Sequence, residues 1–131
     1  MRYLLDANVV IALLNDNHSR AARRARRHKP SDIGVPAIVV HELFYGAFKS
    51  QRPDRNVTLI DALQFEVLDF DKEDARQAGQ VRAELTKQGT PIGPYDVLIA
   101  GQAKARNMVL VTRNTNEFGR VPGLRLENWE Q

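Results

Sequence analysis

Four short apolar runs punctuate the chain: residues 2–5 (Arg-Tyr-Leu-Leu), Ile33-Gly34-Val35, Phe65-Glu66-Val67-Leu68 and Met108-Val109-Leu110-Val111. Branched and aromatic residues dominate them, and the first and last stop abruptly at the polar turns Asp6-Ala7-Asn8 and Thr112-Arg113-Asn114, as buried strands do. Between them the apolar period lengthens to that of helices. Val9 to Asn15 predicts one helix, and a Ser19 cap predicts a second that runs to His28 and is stopped by Pro30. Val40, Leu43, Phe44 and Ala47 predict a helix over about 37–50, and Pro53 to Ala62 another. Ala75, Ala78, Val81 and Leu85 form one stripe of a helix that ends near Gly89, and Val97 to Ala105 is apolar on most faces. Leu124 to Leu126 predicts an edge strand. Strand and helix thus alternate, which predicts an α/β domain built on a mainly parallel sheet, with residues 1–131 forming one domain.

Parallel sheets of this kind bind ligands beyond the carboxyl ends of their strands. That edge collects acids from separate parts of the chain. Asp6 ends the first strand, Glu42 lies in the second turn of the helix after the second strand, Asp96 falls in the first turn of the helix before the Met108 strand, and Asn114 to Glu117 follow that strand. Neighbouring carboxylates raise one another's pKa unless a cation neutralises them. Oxygen donors without cysteine favour Mg²⁺ or Mn²⁺ over zinc. Such an ion lowers the pKa of water and accepts phosphate oxygens, so the natural substrate is a phosphodiester.

Charge adds a direction. The net charge is +3, and Arg20, Arg23, Arg24, Arg26, Arg27 and Lys29 crowd one stretch without an acid among them. A solvated helix face is the plain reading of such a run; beside a polyanionic substrate, phosphate contact by Arg23, Arg24 and Arg27 is the sharper one. The run Asp69 to Asp74 reads as a helix N-terminal cap with no chemistry. The absence of cysteine, of an export signal and of a membrane-length apolar stretch predicts a soluble, cytoplasmic protein.

Taken together, Leu4-Leu5-Asp6 with Asn8, the helical Glu42, the block Gly89-Thr90-Pro91-Ile92-Gly93-Pro94-Tyr95-Asp96, Leu110-Val111-Thr112-Arg113-Asn114 with Glu117-Phe118, and Val121-Pro122-Gly123-Leu124 resemble the PIN-domain nucleases, in particular the VapC-type toxins of toxin–antitoxin pairs. The resemblance runs from the first strand to the last few residues. It implies a three-layer α/β/α sandwich and Mg²⁺-dependent cleavage of RNA, often tRNA, to 5′-phosphate and 3′-hydroxyl ends. It also implies a homodimer silenced by a VapB-like antitoxin. By position, Asp6, Glu42 and Asp96 match the family's three principal acids, with Asp6 and Asp96 as the direct metal ligands. Many members carry aspartate where Asn114 stands, so the fourth acidic role passes to Glu117. Asn8, Thr112 and Asn114 are expected to hold the carboxylates by hydrogen bonds.

Other chemistries fit less well. A phosphatase with Asp6 as nucleophile needs an acid two residues on, where Asn8 stands. His41-Glu42 lacks the second histidine of a zinc H-E-x-x-H motif, since position 45 is Tyr45, and no P-loop or dinucleotide-binding glycine pattern occurs. The spacing of His18, His28 and His41 gives no histidine pair for metal-free RNA cleavage. A catalytically idle RNA-binding protein is the alternative from another functional class.

Overall fold

The computed structural model describes residues 1–131. Its centre is a five-stranded sheet: β1 (Tyr3–Leu5), β2 (Ile33–Pro36), β3 (Glu66–Leu68), β4 (Val109–Val111) and β5 (Leu126–Glu127), in the order β3-β2-β1-β4-β5. Every pairing is parallel, so the mainly parallel sheet expected from the sequence is wholly so. Leu4 is in register with Gly34 on one side and Leu110 on the other. The near-continuous apolar strands are what burial on both faces requires.

The helices are α1 (Ala7–Asn15), α2 (Arg20–Ala25), α3 (Ala37–Phe48), α4 (Pro53–Asp61), α5 (Lys72–Gln88), α6 (Pro94–Ala105) and the short α7 (Thr115–Phe118). Right-handed crossovers send the connections from β1 to β2 and from β2 to β3 over one face, and the long return from β3 to β4 over the other. The strand order therefore reverses between β1 and β4, and this is where a ligand crevice forms in such sheets. The core consists of Leu4, Leu5, Val35, Leu110 and Val111 from the strands, with Val9, Val10, Ile99 and Phe118 packed on them, all buried. No helix is long and apolar enough to cross a membrane.

Several boundaries differ from the sequence reading by a few residues, α1 beginning at Ala7 rather than Val9 among them, and two of the differences have a tertiary cause. α2 ends at Ala25 rather than His28, because His28 leaves the helix to join an aromatic cluster with Tyr3 and Trp129, at ring separations of 4.5 and 5.3 Å. The edge strand is Leu126–Glu127, not 124–126; its register is set by the bonds from Leu110 N–H to Arg125 O and from Thr112 N–H to Glu127 O. Trp129, fully buried, then fastens the end of the chain and donates to Glu127 at 3.0 Å.

The long helices α5 and α6 make the closest helix contact. A Cβ on Gly101 would stand 2.4 Å from the Ala78 Cα, so the two backbones touch where only glycine fits. The Asp69–Asp74 run does cap α5: Asp71 and Asp74 form a reciprocal capping box, with bonds of 2.9 and 3.0 Å. It is more than a cap, however. The Asp74 carboxylate is 1% exposed and accepts from Gln102 at 2.9 Å and Arg106 at 3.0 Å, tying α5 to α6.

Candidate functional site

Asp6 sits where β1 becomes α1, and its backbone N–H continues the sheet by donating to Val111 O at 3.0 Å. As the N-cap of α1 it holds extended backbone angles, and one carboxylate oxygen accepts from the Ala7 N–H at 2.8 Å. The other accepts from the Thr112 hydroxyl at 2.8 Å, across the switch point at the end of β4. Asp6 is 6% exposed and Thr112 is fully buried, so this carboxylate is fixed in place by both strands.

Thr112 also accepts from the Asn114 N–H at 3.0 Å, and the Asn114 side chain donates to Glu117 at 2.8 Å. Position 114 is thus occupied by an amide that orients the acid three residues on, an i,i+3 arrangement made possible by the turn of α7. Of the three residues expected to hold carboxylates, Thr112 and Asn114 do so. Asn8 does not: it is the second residue of α1 and its side chain makes no hydrogen bond within the chain, the donors to Asp6 being the Ala7 N–H and Thr112.

Asp96 reaches the same rim from α6. Pro94 opens that helix, and Gly93 precedes it with just enough room for the acid: a Cβ there would lie 3.1 Å from a carboxylate oxygen of Asp96. Burial, then the charges of Asp6 and Glu117, push the Asp96 carboxyl up to about 6. Glu42, from the second turn of α3, is likewise raised, first by burial and then by Asp6 and Asp96, with His41 acting weakly the other way. Its Oε1 is buried without any hydrogen-bond partner. The four acids named from the sequence therefore share one electrostatic neighbourhood.

Their chemistry fits a hard divalent cation. An orphaned anionic oxygen beside two further carboxylates is costly unless a positive charge offsets it. No group of three or more His, Cys, Asp or Glu side chains that could hold a metal ion is assembled. Oxygen donors of this kind are those of hard ions that bind through one or two carboxylates and keep several waters. The histidines play no part in such a set, and His41 instead packs on Tyr95 at 5.6 Å.

Arg20, Arg23, Arg24 and Arg27 line an open hollow with Gln131 and no apolar residue. Arg24 approaches Glu127 at 3.6 Å, and the Glu127 carbonyl accepts from Thr112, so the arginine surface borders the acidic rim. What sequence reasoning missed is the support behind Asp96: the buried Asp74–Gln102–Arg106 contact and the Gly101–Ala78 approach that fix α6. Only Gly101, a glycine inside an apolar helix, gave a local hint of it.

Comparison with known proteins agrees with this geometry. The PIN domain family matches residues 3–124. The chain is 40% identical, over 98% of both chains, to the tRNA(fMet)-specific endonuclease VapC of Shigella flexneri, and 37% identical, again over 98% of both, to Ribonuclease VapC2 of Haemophilus influenzae. Among solved structures it is similar to the DNA-bound VapBC of Salmonella typhimurium, with a TM-score of 0.93 and 40% identity over 98% of each chain. It also resembles VapBC2 of Rickettsia felis bound to a promoter DNA fragment, at a TM-score of 0.89 and 35% identity over 98% of this chain and 99% of that one. Fold, acidic rim and relatives coincide, and the chain belongs to the PIN-domain family, among its VapC ribonucleases.

Proposed function

We propose that this chain is a cytoplasmic, Mg²⁺-dependent endoribonuclease toxin that hydrolyses RNA phosphodiester bonds, with tRNA as a candidate target, and that a VapB-like antitoxin silences it. The observation that carries the reading is the unpartnered, buried Oε1 of Glu42 facing the field of Asp6 and Asp96. Asp6 and Asp96 would hold the ion, with Mn²⁺ able to substitute. When bound, Mg²⁺ supplies positive charge that acidifies water and offsets the charge developing at phosphorus.

The chain's own groups do the rest. Thr112 and the Ala7 N–H hold both Asp6 oxygens in fixed directions, so no reorganisation is needed when substrate arrives. Glu42 Oε1, free of any donor and with raised proton affinity, is suited to take a proton from the attacking water. Glu117, held by Asn114, keeps the pocket anionic and so selective for a cation.

An apolar groove between α1, α3 and α4, lined by Ile11, Leu14, Leu43, Ala47 and Leu59 and reaching Glu42, suits a partner segment such as an antitoxin's. Tyr45 and Phe48, 62% and 68% exposed on α3, are apolar surface of the kind a homodimer covers.

The test is an end-mapped digest of total RNA by the purified protein. Cleavage leaving 5′-phosphates is expected with Mg²⁺ and lost in excess EDTA; undiminished cutting in EDTA overturns the reading. Charge reversal of the α2 surface (Arg23→Glu, Arg24→Glu and Arg27→Glu together) is expected to weaken RNA binding by about tenfold or more at moderate salt. Unchanged affinity in that triple variant would return the arginines to the status of a solvated face.

A further inference from the structure

Four carboxylates on one rim repel the polyanion they are proposed to cut, so the phosphates flanking the scissile bond need cations set directly beside the acids. Arg113 stands there. Its chain neighbour Thr112 donates to Asp6, and its other neighbour Asn114 donates to Glu117. The Arg113 side chain is 59% exposed, and its one polar contact within the chain is a 3.8 Å approach of Nε to Glu130 Oε2. That oxygen is buried and accepts no hydrogen bond, so Glu130 faces the guanidinium as a counter-charge rather than as a bonded partner.

The last residues extend this relation. Glu127 is bonded through its carbonyl to Thr112 and faces Arg24 with its carboxylate, while Gln131 joins the arginines of α2. Residues 127–131 thus join the rim to the arginine surface, with Glu127 bonded to Thr112 and facing Arg24, Glu130 facing Arg113 and Gln131 beside the arginines. A guanidinium matches two phosphate oxygens at once, whereas a long, partly solvated ion pair contributes little.

Resting on the nuclease reading, we propose that Arg113 binds a phosphate of the RNA strand next to the cleaved bond, that this phosphate displaces the Glu130 carboxylate, and that the strand continues from Arg113 toward α2. No group is transferred in this exchange; one anion replaces another on the guanidinium.

The test measures binding of a short fluorescein-labelled single-stranded RNA in EDTA across a salt series. The full chain carries Asp96→Asn in every arm so that nothing is cut. Arg113→Ala is expected to weaken binding roughly tenfold and to lower the slope of log affinity against log salt by about 0.7, the contribution of one phosphate contact on a single strand. Arg113→Lys should restore the slope but not the full affinity, since it keeps the charge and loses the fork. Glu130→Gln should tighten binding by about threefold, as a competing anion is removed.

In otherwise unaltered protein with Mg²⁺, Arg113→Ala should raise KM and leave kcat nearly unchanged. An unchanged affinity and salt slope in Arg113→Ala, or weaker binding in Glu130→Gln, overturns the proposal. If the unaltered protein cleaves RNA while Arg113→Ala has no effect, the inference falls and the nuclease reading stands; if RNA is neither bound nor cut by any form, both fall.

Discussion

Replacing Asp96 with Asn is expected to lower kcat/KM for RNA by about 10³-fold or more while making the metal-free protein more stable above pH 6. The activity loss follows from removing one of the two carboxylates proposed to hold the ion, from a rim where Asp6 cannot shift to compensate because both its oxygens are already bonded. The stability gain follows first from burial of the Asp96 carboxylate and then from the charges of Asp6 and Glu117. The ordinary carboxyl value of 3.8 is raised to about 6 in the fold, so between these values the folded protein holds a proton that the unfolded chain has released. Stability of the metal-free protein therefore falls as pH rises from about 4 to 6 and is flat above. A shift of that size corresponds to about 3 kcal/mol for a fully shielded group, and solvent screening at this part-exposed position reduces it to about 1–2 kcal/mol.

Asparagine keeps the shape and removes the charge, so urea unfolding in EDTA should show a weaker decline over that window, with Glu42 supplying what remains. Part of the gain is offset by the lost interaction with the amino end of α6, roughly 0.3–1 kcal/mol. Full cleavage by Asp96→Asn would remove the proposed mechanism. An unaltered pH profile of stability would show that neither burial nor the neighbouring acids disfavour the Asp96 carboxylate. A site whose charges destabilise the empty fold is what selection for catalysis leaves behind.

The fold was legible where local pattern and burial coincide. Leu4-Leu5 and Val109-Leu110-Val111 are continuous apolar runs because they lie in the middle of a sheet covered on both sides, and their polar ends marked the acidic rim directly. Asp6, Glu42, Asp96 and Glu117 could be placed together since each follows or opens an element at the same edge. The sequence misled where an interaction joins distant segments. His28 leaves its helix for Tyr3 and Trp129, more than twenty and about a hundred residues away, and no helical period registers that. Asn8 looked like a carboxylate's partner by proximity, yet the competing donor was Thr112. Asp74 was hidden for a different reason: its local role as half of a capping box is real and fully explains its presence, so nothing in the sequence asked for a second partner on α6.

That second role predicts the largest stability effect. Asp74→Ala is expected to destabilise the protein by about 3 kcal/mol, because it removes one of the two acceptors of the buried Gln102 amide, takes the carboxylate from the Arg106 guanidinium and opens the capping box at once. Both keep the Asp69 carbonyl, and Arg106, 30% exposed, can regain water, which keeps the loss from being larger; the N–H that Gln102 loses a partner for is fully buried and cannot.

Burial of Asp74 works to raise its pKa, but the bonds from Arg106, the Asp71 N–H and Gln102 outweigh it and hold the carboxyl below its ordinary 3.8. A depressed acid contributes stability that is present above about pH 4 and is lost as pH falls toward the folded value. Urea titrations should therefore show that Asp74→Ala is far weaker than the parent at pH 7 and that the gap narrows on acidification. A double-mutant cycle with Arg106→Ala should give a coupling of about 1–2 kcal/mol at pH 7. A gap that does not narrow with acid, or a coupling near zero, would mean that the capping box alone accounts for Asp74. A confirmed coupling would tie the placement of Asp96, carried on the same helix, to an ion pair at that helix's other end.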